Sequence, residues 1–359
     1  MSLFSTHVSC AGRSVTVSSG TRFIADWVQR YFAPWWSVAD RRVADIDRLV
    51  RADVDHGRAR GAITRVRGNP AATAVRYAGG ELTFLREGAV VHAAQEGLAY
   101  RYAPGEALEI LGMQRLDVAV SAARLAREVL RGRLLGDGWL LLRASAAVGP
   151  CGRAVLALGG KGTGKTTAAF LLAQAPGWSL LSDDRIFVRP DRGGLVEALA
   201  WPSTVSVGFG LLEAGGWSAP VRERGLSDPA RQATDVMAGG LRPLRAGQEL
   251  RSRFRPDQLR DGLGLSLAMH GVVSHLLFPM IGPYARAGRL NEARRFAEAD
   301  VITASRDDRY PDAFGLTLTA DDPKYLVNAL GGLPQDSVLL GHDADGSRAF
   351  LLDLISRPS

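Results

Sequence analysis

Residues 159–166 combine glycines, a lysine and a hydroxyl in a spacing that suits the binding of phosphate groups. The stretch reads GGKGTGKT and matches the pattern G-x-x-x-x-G-K-[ST] at each fixed position. Glycines let successive backbone N–H groups turn toward an anion, and a helix start adds more of them. In this pattern Lys165 reaches the β- and γ-phosphates of a nucleotide and Thr166 can bind Mg²⁺. The predicted site for ATP and Mg²⁺ is made of consecutive residues: Gly159, Gly160, Lys161, Gly162, Thr163, Gly164, Lys165, Thr166 and Thr167.

Lysine is rare in this chain, and its distribution supports a chemical role for the loop. The sequence has 44 Lys and Arg residues, of which only Lys161, Lys165 and Lys324 are lysines. Two of the three therefore lie in one short loop. An ammonium is a compact point charge, unlike the planar guanidinium, so its use here indicates a need for that form of charge.

A pair of carboxylates follows the loop at short range. Asp183 lies 18 residues after Lys165, at the end of the apolar stretch LLSDD, and Asp184 comes next. One carboxylate can accept the proton of an acceptor hydroxyl, and the other can hold Mg²⁺ directly or through water. We predict Lys165, Asp183 and Asp184 as catalytic residues, with Asp183 as the base and Asp184 beside the metal with Thr166. The reverse order stays open, because neighbouring residues of a strand point to opposite faces.

Three elements are needed to position these groups. An apolar strand at 153–158 precedes the loop, a helix containing AAFLLA at 168–173 follows it, and a further strand ends at Ser182. Because parallel strands bring their carboxyl ends to one edge of a sheet, both carboxylates should face the loop. The sequence therefore predicts an α/β protein with a P-loop nucleotide-binding core.

Residues 138–190 resemble the catalytic core of the HPr kinase/phosphorylase family of P-loop proteins, which is itself similar to the nucleotide core of phosphoenolpyruvate carboxykinase. The likeness rests on the glycine loop, on LLSDD one helix later, and on LLLRASAAV upstream of the loop. Family members often carry a histidine before the small residues of that upstream strand, and Arg143 stands in its place here. The loop ends in two threonines, where bacterial HPr kinases have a serine and then an acidic residue. The resemblance implies an HPr-kinase-like core that phosphorylates a hydroxyl, not necessarily that of HPr.

A kinase is the leading hypothesis that follows from these residues. It would move the γ-phosphoryl group of ATP·Mg²⁺ to a hydroxyl of a small-molecule metabolite or natural-product intermediate. A serine kinase acting on a peptide or protein, and a nucleotide-dependent ATPase or switch, are the alternatives. The sequence has no Asn-Lys-x-Asp guanine signature of a GTPase and no later apolar strand ending in Asp-Glu, as a motor ATPase would need. We expect the glycine- and arginine-rich tract 208–247 to close over the site when the acceptor binds.

The remainder of the chain predicts a second domain. The first part combines a strand at 14–18, an aromatic helix at 21–38 and short strands between 73 and 111. We predict an additional α+β N-terminal domain over 1–135 that recognises the acceptor. The P-loop kinase domain then occupies 136–359.

Composition limits the partners and the compartment. The net charge is +7, but the arginines are scattered among acidic residues and no RNA-binding signature or zinc spacing occurs, so we expect no nucleic-acid partner. Cys10 and Cys151 offer no disulfide framework, and no signal peptide is visible, which favours a cytoplasmic protein. The uncharged run 264–283 is long enough to cross a membrane. We interpret it as a buried helix leading into a strand, with no membrane partner.

Several basic and aromatic residues have two readings. Arg143 is expected near the phosphates, whereas Arg251, Arg253 and Arg255 either form a solvated face, which we favour, or bind an anionic group. The other set is predicted to pack in the core rather than to bind ligands: His270, His275, Trp27, Trp35 and Trp36.

Overall fold

The computed structural model shows a mixed α/β protein that divides into two compact units. It describes residues 3–40, 49–78, 80–191, 193–223, 251–282, 285–292, 294–302, 311–317 and 323–357. The first unit comprises Met1–Gly138 and Thr303–Asp321, and the second comprises Trp139–Ile302 and Asp322–Ser359. The boundary at 138/139 lies three residues beyond the one predicted from the sequence. The segment around 311–317 belongs to the first unit, whereas the sequence placed it in the second.

The first unit is built on a mixed sheet of nine described strands. In chain order its elements are β1 (Phe4–Cys10), β2 (Arg13–Ser19), α1 (Arg22–Phe32), β3 (Ser37–Ala39), β4 (Leu49–Val54), α2 (His56–Arg67), β5 (Thr73–Tyr77), β6 (Gly80–Glu87), β7 (Val90–Gln95), β8 (Leu98–Tyr102), β9 (Leu108–Gly112) and α3 (Arg115–Gly136). The sheet order is β3-β1-β2-β4-β9-β8-β7-β6-β5. The pairs β2–β4 and β4–β9 are parallel, and the other pairs are antiparallel.

Helix α3 covers the middle of this sheet, where it packs against β2, β4, β9 and α1. The aromatic side chains of the segment around α1 fill the same core. Trp27, Trp35 and Trp36 are all buried, which confirms their predicted core role. Helix α1 ends at Phe32, two residues before Pro34, because proline cannot continue the hydrogen-bond ladder.

Gly132 on α3 provides a test of how the segment 311–317 is docked. A Cβ atom at this position would lie 1.9 Å from the carbonyl oxygen of Leu316. We therefore expect Gly132→Ala to lower the free energy of unfolding by roughly 1–3 kcal/mol, as other overpacked sites do. Gly61→Ala on α2 is the matched control, because nothing lies within 4 Å of its Cβ position. This variant should gain about 0.5–1 kcal/mol from helix propensity. Equal urea-unfolding effects of the two variants would contradict the docking.

The second unit combines a main mixed sheet, a separate two-stranded sheet and helices. Its elements are β10 (Leu140–Leu142), β11 (Ala144–Val148), β12 (Arg153–Leu158), α4 (Lys165–Ala173), β13 (Ser179–Ser182), β14 (Ile186–Pro190), β15 (Val196–Ala200), β16 (Val205–Gly208), α5 (Phe209–Ala214), α6 (Ser218–Glu223), β17 (Arg251–Phe254), α7 (Pro256–Asp261), β18 (His270–Ile281), β19 (Gly288–Arg289), a 3-10 turn (Glu298–Asp300), β20 (Val301–Ile302), α8 (Pro323–Gly331), β21 (Gln335–Leu340) and α9 (Ala344–Ser356). The main sheet order is β13-β11-β12-β18-β15-β14-β10-β20, and β21 pairs with β18 and β19.

Helices α4 and α9 pack together over the centre of this sheet. Leu171 and Leu172 of α4 and Leu351 of α9 join one buried cluster with Val155 of β12 and Leu277 of β18. The helix that begins at Lys165 is therefore anchored through its apolar residues. Its amino-terminal end stays at the edge of the sheet where β12 ends.

The uncharged run 264–283 differs from its prediction. Residues 264–269 contain no helix, and the long strand β18 occupies His270–Ile281. This strand pairs with β12, β15 and β21, so a continuous apolar run is what its central place requires. His275 is buried as predicted and bonds Asp336 at 2.8 Å, whereas the prediction for His270 is wrong, because this residue is exposed.

Two further expectations concern membranes and the tract 208–247. Among the helices of the described part of the chain, none has the length and apolar character needed to cross a membrane. Of the tract expected to close over the site, residues 209–223 carry α5 and α6. The remaining part, residues 224–247, lies outside the described residues.

Candidate active site

The glycine loop runs from the end of β12 to the start of α4, and its backbone requires glycine. Gly159, Gly162 and Gly164 have φ angles of 140°, 85° and 104°, which side chains rarely tolerate. A Cβ at Gly159 would also lie 2.7 Å from the Thr163 hydroxyl, and one at Gly164 would lie 2.8 Å from the Ile281 side chain. The loop is therefore tightly wound, with the strand, loop and helix in the order that the sequence predicted.

The side chain of Lys165 folds back onto this loop. Its Nζ donates to the carbonyl oxygens of Gly159 at 2.9 Å and Gly160 at 2.7 Å. Burial is the main cause that lowers the pKa of the Lys165 ammonium. The charges of Arg143 and Arg251 act in the same direction, and the two nearby carboxylates oppose it. The ammonium thus lies in a partly desolvated place between two carboxylates and two arginines, and burial outweighs the carboxylates in its effect on the pKa.

Asp183 is the buried member of the carboxylate pair. Its Oδ1 accepts hydrogen bonds from the hydroxyls of Thr166 at 2.7 Å and Ser145 at 2.9 Å. Thr166 lies in the first turn of α4 and Ser145 lies near the start of β11. The structure therefore joins the loop, the helix and two strands at one carboxylate oxygen. Ser145 was not predicted as a site residue. It could have been found from its position two residues after Arg143, in an all-buried strand of small residues.

The sheet brings these groups together by a different route from the one predicted. Strand β11 lies between β12 and β13 and is antiparallel to both. The ends of β12 and β13 consequently meet the start of β11 at the same edge, with Ala144 opposite Leu158 and Ala146 opposite Ser182. The carboxylates still face the loop, but the antiparallel strand β11 separates β12, which leads into the loop, from β13, which leads to the carboxylates. Strand β11 supplies Ser145 and, just before it, Arg143.

Asp184 differs from Asp183 in exposure and in backbone. It is exposed and has a φ of 68°, whereas Asp183 is buried. The Arg185 N–H donates to the Asp183 carbonyl oxygen at 2.9 Å, across Asp184. The two neighbouring carboxylates are thereby placed in unlike surroundings. The structure pairs Thr166 with Asp183, whereas the sequence paired it with Asp184.

The remaining predicted residues fall into two groups. Arg143 and Arg251 both act on the charge of Lys165 and so lie near the loop. Arg255 instead forms an ion pair with Asp257 at 3.0 Å, at the start of α7. Arg253 is exposed on β17. The pKa of Lys165 thus links Arg143 and Arg251 electrostatically to the loop.

The donors around Asp183 fit Mg²⁺, because hydroxyl and carboxylate oxygens are the ligands that this ion prefers. Among the residues that the structure describes, no group of three or more His, Cys, Asp or Glu side chains could hold a metal ion. An ion at Thr166 and Asp183 would therefore need further oxygen ligands from water or from a bound molecule. The phosphate groups of a nucleotide on the adjacent loop have that chemistry.

The surroundings of Asp183 predict a measurable pH dependence. Burial raises the pKa of this carboxyl above its ordinary value of 3.8, although the hydroxyl of Thr166 opposes the shift. A raised folded-state pKa means that stability is present below pH 3.8 and is lost as the pH rises through the folded-state value. We expect Asp183→Asn to raise the thermal midpoint of the second unit, measured without nucleotide, by a few degrees at pH 7, since about 1 kcal/mol is worth roughly 2–4 °C for a domain of about 150–250 residues. The gain should shrink toward pH 4, and a constant gain would contradict the assignment.

Neither a scan against protein-family models nor a search of curated proteins finds a match for this sequence. The fold and the geometry themselves define the class. It is a mixed α/β protein in which a glycine-rich strand–loop–helix unit lies beside a buried and an exposed carboxylate.

Proposed function

We propose that the protein is an ATP-dependent phosphotransferase that moves the γ-phosphoryl group of ATP to a hydroxyl of a small-molecule metabolite or natural-product intermediate. The observation that supports it best is the hydrogen bond of 2.7 Å between Thr166 and the buried Asp183, with the exposed Asp184 next to it. In a simple turn at the end of a strand, both carboxylates would be expected in solvent, because burying a carboxylate costs free energy. The resemblance to the HPr-kinase-like core supports the same reaction class.

The loop and its helix provide the nucleotide site in this proposal. Backbone N–H groups of residues 159–166 and the Lys165 ammonium bind the phosphates of ATP. Thr166 and Asp183 hold Mg²⁺, which would neutralise part of the phosphate charge. The raised pKa of Asp183 in the ligand-free protein fits this role, because a divalent cation beside a carboxylate offsets the cost of its burial.

Asp184 acts as the general base. Its exposed carboxylate accepts the proton of the acceptor hydroxyl as the acceptor oxygen bonds to the γ-phosphorus. The bond between that phosphorus and the bridging oxygen breaks at the same time, and ADP leaves. Lys165, Arg143 and Arg251 supply positive charge around the transferring group, which stabilises the transition state.

The test is transfer of label from [γ-³²P]ATP to candidate hydroxyls in the presence of Mg²⁺. We would offer nucleosides, sugars, hydroxylated carboxylic acids and serine peptides, with the protein alone as the blank. We expect little hydrolysis by the protein alone and labelling of one small-molecule class. Labelling of a serine peptide instead would favour the peptide-kinase alternative. Rapid hydrolysis with no acceptor would favour the ATPase or switch and contradict the proposal.

A further inference from the structure

The backbone of Asp184 is unusual within the described part of the chain. The other non-glycine residues with positive φ there are Ala11 and Ala78. Both lie at the hairpin connections β1–β2 and β5–β6, where such angles are common. Asp184 lies between β13 and β14, which pair with other strands. Its positive φ therefore needs another cause.

Asp184 is the central residue of a γ-turn. The hydrogen bond from the Arg185 N–H to the Asp183 carbonyl oxygen spans three residues, and the central φ is positive. This is the rarer and more strained form of the γ-turn. Strained conformations of this kind persist only where the surrounding structure enforces them.

Ser182 supplies that enforcement. Its hydroxyl donates to the Arg185 carbonyl oxygen and accepts the Trp201 N–H at 3.2 Å. It therefore bridges the two ends of the turn and ties them to the residue that follows β15. Ser182, Arg185 and Trp201 are all buried, and the Arg185 guanidinium lies 5.6 Å from the centre of the Trp201 ring. Both ends of the turn are consequently fixed in the core, while its apex is exposed.

We infer that Ser182 is a positioning residue that holds Asp184 at the apex of this γ-turn. The hydroxyl keeps the turn closed and Asp184 exposed at its apex, while the buried Asp183 is held separately by the hydroxyls of Thr166 and Ser145. The catalytic consequence rests on the proposed function, in which Asp184 is the base. The structural consequence does not depend on it.

The structural consequence can be measured with four variants by urea unfolding. Asp184→Ala and Asp184→Gly both remove the carboxylate, so their difference reports the backbone angle. Glycine is favoured over alanine at positive φ, and alanine is favoured at negative φ. We expect Asp184→Gly to have the higher urea midpoint in the wild-type background. In the Ser182→Ala background the turn is free to relax, and we expect the order of the two to reverse. The same margin in both backgrounds would overturn the inference.

The catalytic consequence is measured with the acceptor found by label transfer. We expect Ser182→Ala to lower kcat by about 10–10²-fold, the cost of misplacing a catalytic group by about 1 Å. The KM for ATP should change by less than about twofold, because Thr166 and Lys165 are left intact, and Ser182→Thr should restore much of the kcat by returning a hydroxyl. Should Ser182→Ala not fold, Ser182→Cys, which is of similar size and a weak donor, replaces it in both experiments. An unchanged kcat would overturn the inference for catalysis. If the wild type transfers no phosphate, the proposed function is overturned. The urea comparison then still decides the structural role of Ser182.

Discussion

Replacement of Lys165 by alanine is expected to lower the affinity for ATP·Mg²⁺ by roughly 10²–10³-fold, the range found when one partner of a buried charge pair is removed. Under the proposed function, the Lys165 ammonium contacts the phosphates of ATP at the start of α4. Among the residues that the structure describes, its hydrogen bonds go to the carbonyl oxygens of Gly159 and Gly160. Its loss should therefore cost little stability, and the fold should survive.

A titration with a fluorescent ATP analogue measures this effect, and thermal unfolding of the same samples shows that the variant is folded. Lys324→Ala is the matched control, because it removes a lysine from an exposed position on α8, outside the loop. The control should bind the nucleotide as the wild type does. An affinity that is the same in Lys165→Ala and in the control would remove the nucleotide site from the proposal.

The elements around the loop could be predicted from the sequence because their signals are local. An apolar run before the glycines, small helix formers after them and a second apolar run ending at Ser182 correspond to β12, α4 and β13. The burial of the tryptophans around α1 was likewise predictable from their spacing. The mixed α/β class follows from these patterns and is confirmed.

Other features depend on contacts between distant parts of the chain, and the sequence could not supply them. Strand β11 separates β12 from β13, and only this pairing makes Ser145 a partner of Asp183. The run 264–283 was predicted to begin as a helix because an apolar stretch has no period that distinguishes a buried helix from a central strand. The segment 311–317 joins the first unit, where the backbone of Leu316 packs on Gly132 of α3. No local sequence pattern predicts that contact.

The order of the two carboxylates was open for a related reason. Alternation along a strand shows that neighbours diverge, but not which of them turns inward. The structure answers this through the hydroxyls of Thr166 and Ser145 and through the positive φ of Asp184. On these observations we propose the reverse of the roles first predicted from the sequence. Under the proposed function, Asp183 holds the metal side and Asp184 is the base.

This exchange leads to opposite expectations for two asparagine variants. Asp184→Asn should lower turnover by roughly 10²–10⁴-fold, the usual contribution of a general base, and should leave nucleotide affinity unchanged. Asparagine, like aspartate, is among the non-glycine residues that adopt a positive φ most readily, so the turn is preserved and only the base is lost. Asp183→Asn should still bind ATP but need a higher Mg²⁺ concentration for half-maximal turnover, because the amide accepts the Thr166 hydrogen bond without the negative charge.

Turnover measured against Mg²⁺ concentration at saturating ATP separates these two effects. For Asp184→Asn the Mg²⁺ midpoint should match the wild type while the plateau falls. For Asp183→Asn the midpoint should move to higher Mg²⁺, and added metal should recover part of the rate. The same Asp183→Asn protein should be the more stable one without ligand at pH 7, since asparagine removes the cost of burying an ionisable carboxyl. If Asp183 is buried for function, its replacement should thus raise the stability and also raise the Mg²⁺ requirement. If the two variants exchange these behaviours, Asp183 is the base after all, and if both keep full turnover, the carboxylates are only a turn at the end of a strand.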